Sequence, residues 1–162
     1  MSAPKISKIF LLTLSAILVI SACDTNNTNF TIDYSDAPDL PDTTQAISKV
    51  VNESGLIYYV IKEGAGPFEV GIRDNIRLFF TARDLDGTIF QSSFVNGKTS
   101  SSIFNNIGSY NDEQGVNSRG EGFVQGILGM KEGEQRVLVI PPSQSVFIDT
   151  VIYDIELDEI LY

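Results

Sequence analysis

Gly122-Phe123-Val124-Gln125-Gly126-Ile127-Leu128-Gly129-Met130-Lys131-Glu132-Gly133 is the stretch on which the fold turns. Phe123, Ile127 and Met130 recur at helical spacing, which predicts a short amphipathic helix with one apolar stripe. Lys131-Glu132-Gly133 then turns the chain, and Gln135 to Ile140 reads as a strand ending at Pro141-Pro142. Beyond it, Val151 to Ile160 alternates: Tyr153, Ile155 and Leu157 against Asp154, Glu156 and Asp158, one face dry and one wet. Upstream, Asn75 to Arg83 is a strand carrying Ile76, Phe79 and Phe80. Asp86-Gly87 closes a hairpin, since both residues tolerate the positive φ of such turns, and Thr88 to Gln91 returns. Leu56 to Ile61 is a further β-rich run, ended by Glu63-Gly64-Ala65-Gly66-Pro67. The expected class is α+β: a curved antiparallel sheet of five or six strands wrapped around one short helix, which buries both apolar faces at once.

The N-terminus is of another kind. Lys5 and Lys8 precede an apolar run from Ile9 to Ile20, which ends in Ile20-Ser21-Ala22-Cys23. Basic residues, an apolar stretch and small residues at a cut site make a secretory signal, expected over residues 1–22. The run is shorter than the roughly 20 apolar residues that span a bilayer core. Ile-Ser-Ala-Cys resembles the lipobox of bacterial lipoproteins, which implies acylation at Cys23 and a lipid-bilayer anchor. Two or three acyl chains hold stably where one binds reversibly. Residues 23–54 then read as the lipidated cysteine and a flexible acidic spacer carrying Asp33, Asp36, Asp39 and Asp42. Within it, Gln45 to Val51 is expected to form one or two helical turns. The location implied is the cell envelope. Asp24 follows the cysteine, a residue that retains lipoproteins at the inner membrane in some bacteria, and both membranes stay open.

Composition excludes several chemistries. There is no histidine, and Cys23 is the one cysteine, so Ser-His-Asp and Cys-His catalysis, thiol redox work and most zinc or copper sites are out of reach. No cofactor and no metal are expected. Loss of Lys5 and Lys8 with the signal takes the formal net charge from −10 to −12, which disfavours nucleic acid as a partner. Asp84 and Asp86, like Glu132 and Glu134, read as surface turn formers rather than catalytic pairs.

From Gly55 to the C-terminus, about two-thirds of the chain, an ordered set of segments resembles the FKBP-type peptidyl-prolyl isomerases. Ser54-Gly55-Leu56-Ile57-Tyr58-Tyr59-Val60-Ile61 is similar to that family's first strand, and Leu85-Asp86-Gly87-Thr88-Ile89-Phe90-Gln91-Ser92-Ser93 to its "DGT-x-FDSS" segment. Gly122-Phe123 to Gly126 with Met130-Lys131-Glu132-Gly133 resembles "GW-x-x-G…MKEG"; Ile140-Pro141-Pro142 matches "IPP", and Tyr153-Asp154-Ile155-Glu156-Leu157 its closing "FDVEL". The resemblance implies an FKBP-like domain over 55–162 that takes proline-containing segments of exported proteins. It names no catalytic residue, only substrate-binding candidates: Phe80, Phe90, Gln91, Ile103, Phe123 and Tyr153.

The polar rim departs from the family. Phe80-Thr81-Ala82 stands for "YTG", Gln91 for an aspartate, Phe123 for a tryptophan, and Ile103 for an aromatic wall. After Pro142 the family's "AYG" loop is absent, and Ser143-Gln144-Ser145 is expected to run almost directly into the last strand. Between Gly108 and Gly122 the chain is longer than the family's link, with Tyr110-Asn111-Asp112-Glu113-Gln114-Gly115 there. A weakened isomerase, a non-catalytic binding or chaperone module, and a structural spacer all remain open.

Overall fold

The structure, a computed structural model, describes residues 31–108 and 119–162. The predicted signal, Cys23 and Tyr110–Gly115 lie outside them. Nine strands and one helix are described: β1 (Ser48–Val51), β2 (Ile57–Lys62), β3 (Asn75–Arg83), β4 (Ile89–Ser92), β5 (Phe94–Val95), β6 (Lys98–Thr99), β7 (Ser102–Phe104), α1 (Glu121–Ile127), β8 (Gln135–Ile140) and β9 (Val151–Leu161). The alternating β9 holds the middle of a seven-stranded antiparallel sheet ordered β1-β2-β8-β9-β3-β4. β7 pairs with the first half of β3, beside β4 on the second half. The sheet thus has one or two strands more than expected, because the short β1 and β7 complete its edges.

Alternation decides what each strand buries. Ile76, Leu78, Phe80 and Ala82 of β3, Leu138 and Ile140 of β8, and Tyr153, Ile155 and Leu157 of β9 enter one core. The helix lays Phe123, Val124 and Ile127 on that face; it ends at Ile127, and Met130 is buried just beyond it. Its approach is close. A Cβ on Gly126 would stand 2.5 Å from Cδ1 of Leu138, and one on Gly122 would stand 2.6 Å from Cγ2 of Ile140. Large side chains at 122 or 126 would lift the helix off the sheet.

Of the residues expected as a flexible spacer, Ile32 to Ser54 belong to the compact unit Ile32–Tyr162, and 23–30 lie outside the described residues. Ser48–Val51 is a strand rather than helical turns, pairing with β2 from Ser48 opposite Val60 to Val51 opposite Ile57. It covers a sheet edge that would otherwise present unpaired backbone. Before it, residues 33–47 run as a strap. Asp33 and Asn96 exchange hydrogen bonds of 2.8 and 2.9 Å. The Tyr34 hydroxyl donates to the Phe90 carbonyl at 2.9 Å, and Arg83 donates to the Pro38 carbonyl. Asn96 and Gly97, at φ 52 and 72, form the hairpin turn between β5 and β6 to which the strap is tied.

The strap explains one exception to the wet face of β9. Asp154 is only 5 % exposed, in a small cleft lined by Pro38, Phe79, Thr81, Phe94 and Gln135. Burial pushes its carboxyl up to about 6, against the lowering effect of the Gln135 amide and the Arg83 charge. Since the ordinary value is 3.8, folded Asp154 keeps its proton to higher pH than unfolded Asp154 does. Its contribution to stability is fully present below pH 4 and is lost as pH rises through 6. Asp154→Asn is therefore expected to gain on the native chain by about 2–3 kcal/mol between pH 4 and pH 7, read from urea midpoints of both proteins. Parallel pH profiles would refute it. The exposed Asp33, Asp42 and Asp86, each lowered by local hydrogen bonds to Ser35, Thr44 and Thr88, act with opposite sign below their ordinary 3.8.

Candidate functional site

Four aromatic rings converge where α1 meets the sheet. The Phe123 and Tyr153 centroids are 4.7 Å apart and edge-on, Phe80 and Phe104 are 6.0 Å apart, Phe104 and Phe123 5.9 Å, and Phe80 and Tyr153 6.5 Å. Each comes from a different element: β3, β7, α1 and β9. All four are buried. Phe90 packs against the same core from β4. It is the extra residue where the pairing slips, because Gln91 faces Ala82 while Ile89 faces Arg83. Such a bulge re-aims a side chain, and here it turns Phe90 to meet Phe147 at 5.1 Å. Register places Gln91 opposite Ala82, itself opposite Tyr153, so Gln91 shares the inner face.

Of the six predicted binding residues, five thus gather at one place and Ile103 does not. Ile103 is 48 % exposed, because β7 pairs Ile103 with Arg77 on the outer face and Phe104 with Ile76 on the inner one. The aromatic wall is Phe104. A one-residue error of parity moves a side chain to the opposite face. The link after Pro142 is also longer than expected. A 3₁₀ turn at Pro142–Gln144 leads into a loop that reaches β9 only at Val151, and this loop carries Phe147. Val146, Phe147 and Ile148 are exposed there, Ile148 at 91 %.

The centre of the aromatic group is filled from within. The Arg119 guanidinium carbon lies 4.9 Å from the Phe80 and Phe104 centroids and 5.6 Å from that of Phe123. The residue is only 8 % exposed. Gly120 makes this placement possible: its φ is 98°, and a Cβ there would stand 2.6 Å from the Gln144 carbonyl oxygen. Burial lowers the Arg119 pKa, while the neighbouring Tyr153 raises it. Burial pushes the Tyr153 phenol up to about 12, with Arg119 pulling it back. The two polar groups influence each other without hydrogen-bond geometry. Among the described residues, neither Arg119 Nε nor the Tyr153 hydroxyl has a hydrogen-bond partner. Nor do the described residues bring together three acidic or sulfur ligands for a metal.

A buried aromatic cluster where one helix crosses a curved antiparallel sheet defines a class, and the comparisons agree with it. A model of the FKBP-type peptidyl-prolyl cis-trans isomerase family matches residues 66–158, more than half of the chain, and the chain belongs to that family. No curated protein sequence matches it significantly. Among solved structures, FkpA from Escherichia coli is similar at TM-score 0.58 and 20% identity, over 72% of this chain and 53% of that one. AtFKBP13 is similar at 0.57 and 23%, over 70% and 99%. A peptidyl-prolyl cis-trans isomerase from Pseudomonas syringae pv. tomato is similar at 0.55 and 18%, over 74% and 86%. The chain thus spans about half the length of FkpA. These identities carry the fold alone.

Proposed function

We propose that the chain is a lipid-anchored member of this isomerase family in the cell envelope, binding proline-containing segments of exported proteins. The observation that carries it is the convergence of Phe80, Phe104, Phe123 and Tyr153, with Phe90 packed on the same core and paired with Phe147. Uncatalysed X-Pro rotation meets a barrier of about 20 kcal/mol and takes roughly tens of seconds. Lowering it needs no nucleophile or proton transfer, only an apolar recess that strips water from the amide and favours the twisted state. A chain without histidine can supply that. The exposed Val146-Phe147-Ile148 loop offers apolar contact to the flanking chain. A second reading, binding without catalysis, is favoured by Phe80 and Gln91, which stand where the family carries a tyrosine and an aspartate.

The test is prolyl cis-trans exchange by NMR in a short X-Pro peptide, with residues 24–162 as catalyst. These include the compact unit Ile32–Tyr162. The expected result is acceleration that falls when Phe147 becomes alanine. Phe123→Ala is a poor probe, since removing a fully buried ring costs about 3–5 kcal/mol and endangers the fold itself. Saturable peptide binding without acceleration would establish the second reading, and no binding would end both. The anchor rests on Ile20-Ser21-Ala22-Cys23. Cys23→Ala is expected to abolish incorporation of labelled palmitate in cells; retained label would remove the lipid anchor from the proposal.

A further inference from the structure

Two arginines of this fold lie among aromatic rings, and the fold treats them differently. Arg136 is buried with its guanidinium carbon 4.7 Å from the Tyr58 ring centre. Its Nε donates to Glu134 at 2.6 Å, and one terminal nitrogen reaches the carbonyls of Gly126 and Leu128 at 2.9 and 3.1 Å. Arg119 is just as deeply placed, over three rings, yet among the described residues it takes no part in the ion pairs Lys62–Glu156, Arg77–Glu159, Lys131–Glu69 and Arg136–Glu134. Its Nε has no described partner, and the hydroxyl facing it has none either. Guanidinium does not shed its proton in proteins, so a buried one without an anion among the described residues retains an unmet demand for a carboxylate. The rings supply only part of that demand.

We infer that Arg119 makes the aromatic recess selective for acidic segments, in which a glutamate or aspartate side chain directly flanks the proline. The inference rests on the proline-binding reading above. The proline ring takes the place of the guanidinium on the rings of Phe80, Phe104 and Phe123. The displaced guanidinium swings toward the mouth and meets the ligand carboxylate in a two-pronged pair. Lysine in the same position of the ligand meets a like charge and is rejected. The chain as a whole repels acidic ligands, with a formal net charge of −10. Preference for an acidic peptide must therefore come from a local cation, since distant charges are screened beyond about 8 Å at physiological salt.

The experiment uses residues 24–162 and three blocked peptides, acetylated and amidated so that no terminal charge interferes: Ala-Glu-Pro-Phe, Ala-Leu-Pro-Phe and Ala-Lys-Pro-Phe. Binding is read by NMR titration for the native chain, Arg119→Met and Arg119→Lys. Methionine keeps the bulk and apolar stem without the charge; lysine keeps the charge without the fork. The native chain is expected to bind the glutamyl peptide about tenfold more tightly than the leucyl one, with the lysyl peptide weakest. Arg119→Met equalises glutamyl and leucyl binding, and Arg119→Lys keeps part of the preference. Equal affinities in the native chain, or an unchanged preference in Arg119→Met, would overturn the inference and leave proline binding intact. If no peptide binds, the functional reading fails, and this one with it.

Discussion

Arg136→Met is expected to lower the unfolding free energy by about 3–5 kcal/mol, because it leaves a buried carboxylate without its partner. Among the described residues, Glu134 and Arg136 are the ion pair with both side chains inside, less than a tenth exposed. The second carboxylate oxygen of Glu134 accepts the Lys131 backbone N–H at 3.0 Å, and Arg136 holds carbonyls of Gly126 and Leu128. Together they fasten the end of α1 and its turn to β8. Methionine fills much of the space but satisfies neither carbonyl nor the carboxylate. The measurement is a urea midpoint at constant m, accompanied by a fall in Tm of roughly 10–20 °C. Glu134→Gln combined with Arg136→Met is expected to cost less than the sum of the single changes, since the unpaired charge is gone. A loss under about 1 kcal/mol in Arg136→Met would mean that water reaches the pair and screens it.

That pair also shows where sequence reasoning reaches its limit. Strands β3 and β8 were legible because they are apolar, β-rich runs bounded by turn residues, and β9 because a core on one side leaves a period of two in the sequence. The stripe of Phe123 and Ile127 marked the helix for the same reason. Glu134 did not stand out. A carboxylate beside Glu132-Gly133 looks like part of an exposed turn, and only the return of α1 over β8 encloses it with Arg136. The strap over residues 33–47 is held by hydrogen bonds from Asp33, Tyr34 and Arg83 rather than by an apolar repeat, so it resembles a linker. One signal was present and unread: Asn96-Gly97 between Phe94-Val95 and Lys98-Thr99 is a hairpin turn by chemistry alone. The parity of β7 comes instead from its pairing with β3, a long-range contact that the local sequence does not show. At the site, Phe80, Phe90, Gln91, Phe123 and Tyr153 were found through resemblance. Arg119 was not, because no local pattern shows which rings a distant guanidinium will meet.

Arg119→Ala is expected to raise prolyl exchange of a neutral Leu-Pro peptide by about tenfold over the native chain, with the fold intact. On the proline-binding proposal, the Arg119 side chain occupies the ring cluster of the native chain, so a peptide meets only the fraction in which it has swung out. Two opposing effects set that fraction. Stacking on Phe80, Phe104 and Phe123 favours the closed form by up to about 2 kcal/mol per well-desolvated ring. Desolvation of a charge without a described anion, and of an Nε without a partner, favours release by several kcal/mol. A closed form favoured by only about 1–2 kcal/mol would already lower apparent affinity roughly five- to thirtyfold. Alanine removes the plug and its penalty together, and the space it leaves is lined by rings suited to proline. The gain belongs to neutral ligands, while the glutamyl peptide loses its partner, so the change in their ratio identifies the cause. A folded Arg119→Ala protein with an unchanged neutral rate would show that the guanidinium does not obstruct entry. A slower one would show that Arg119 itself grips the peptide, and the recess would then be a cationic site from the outset.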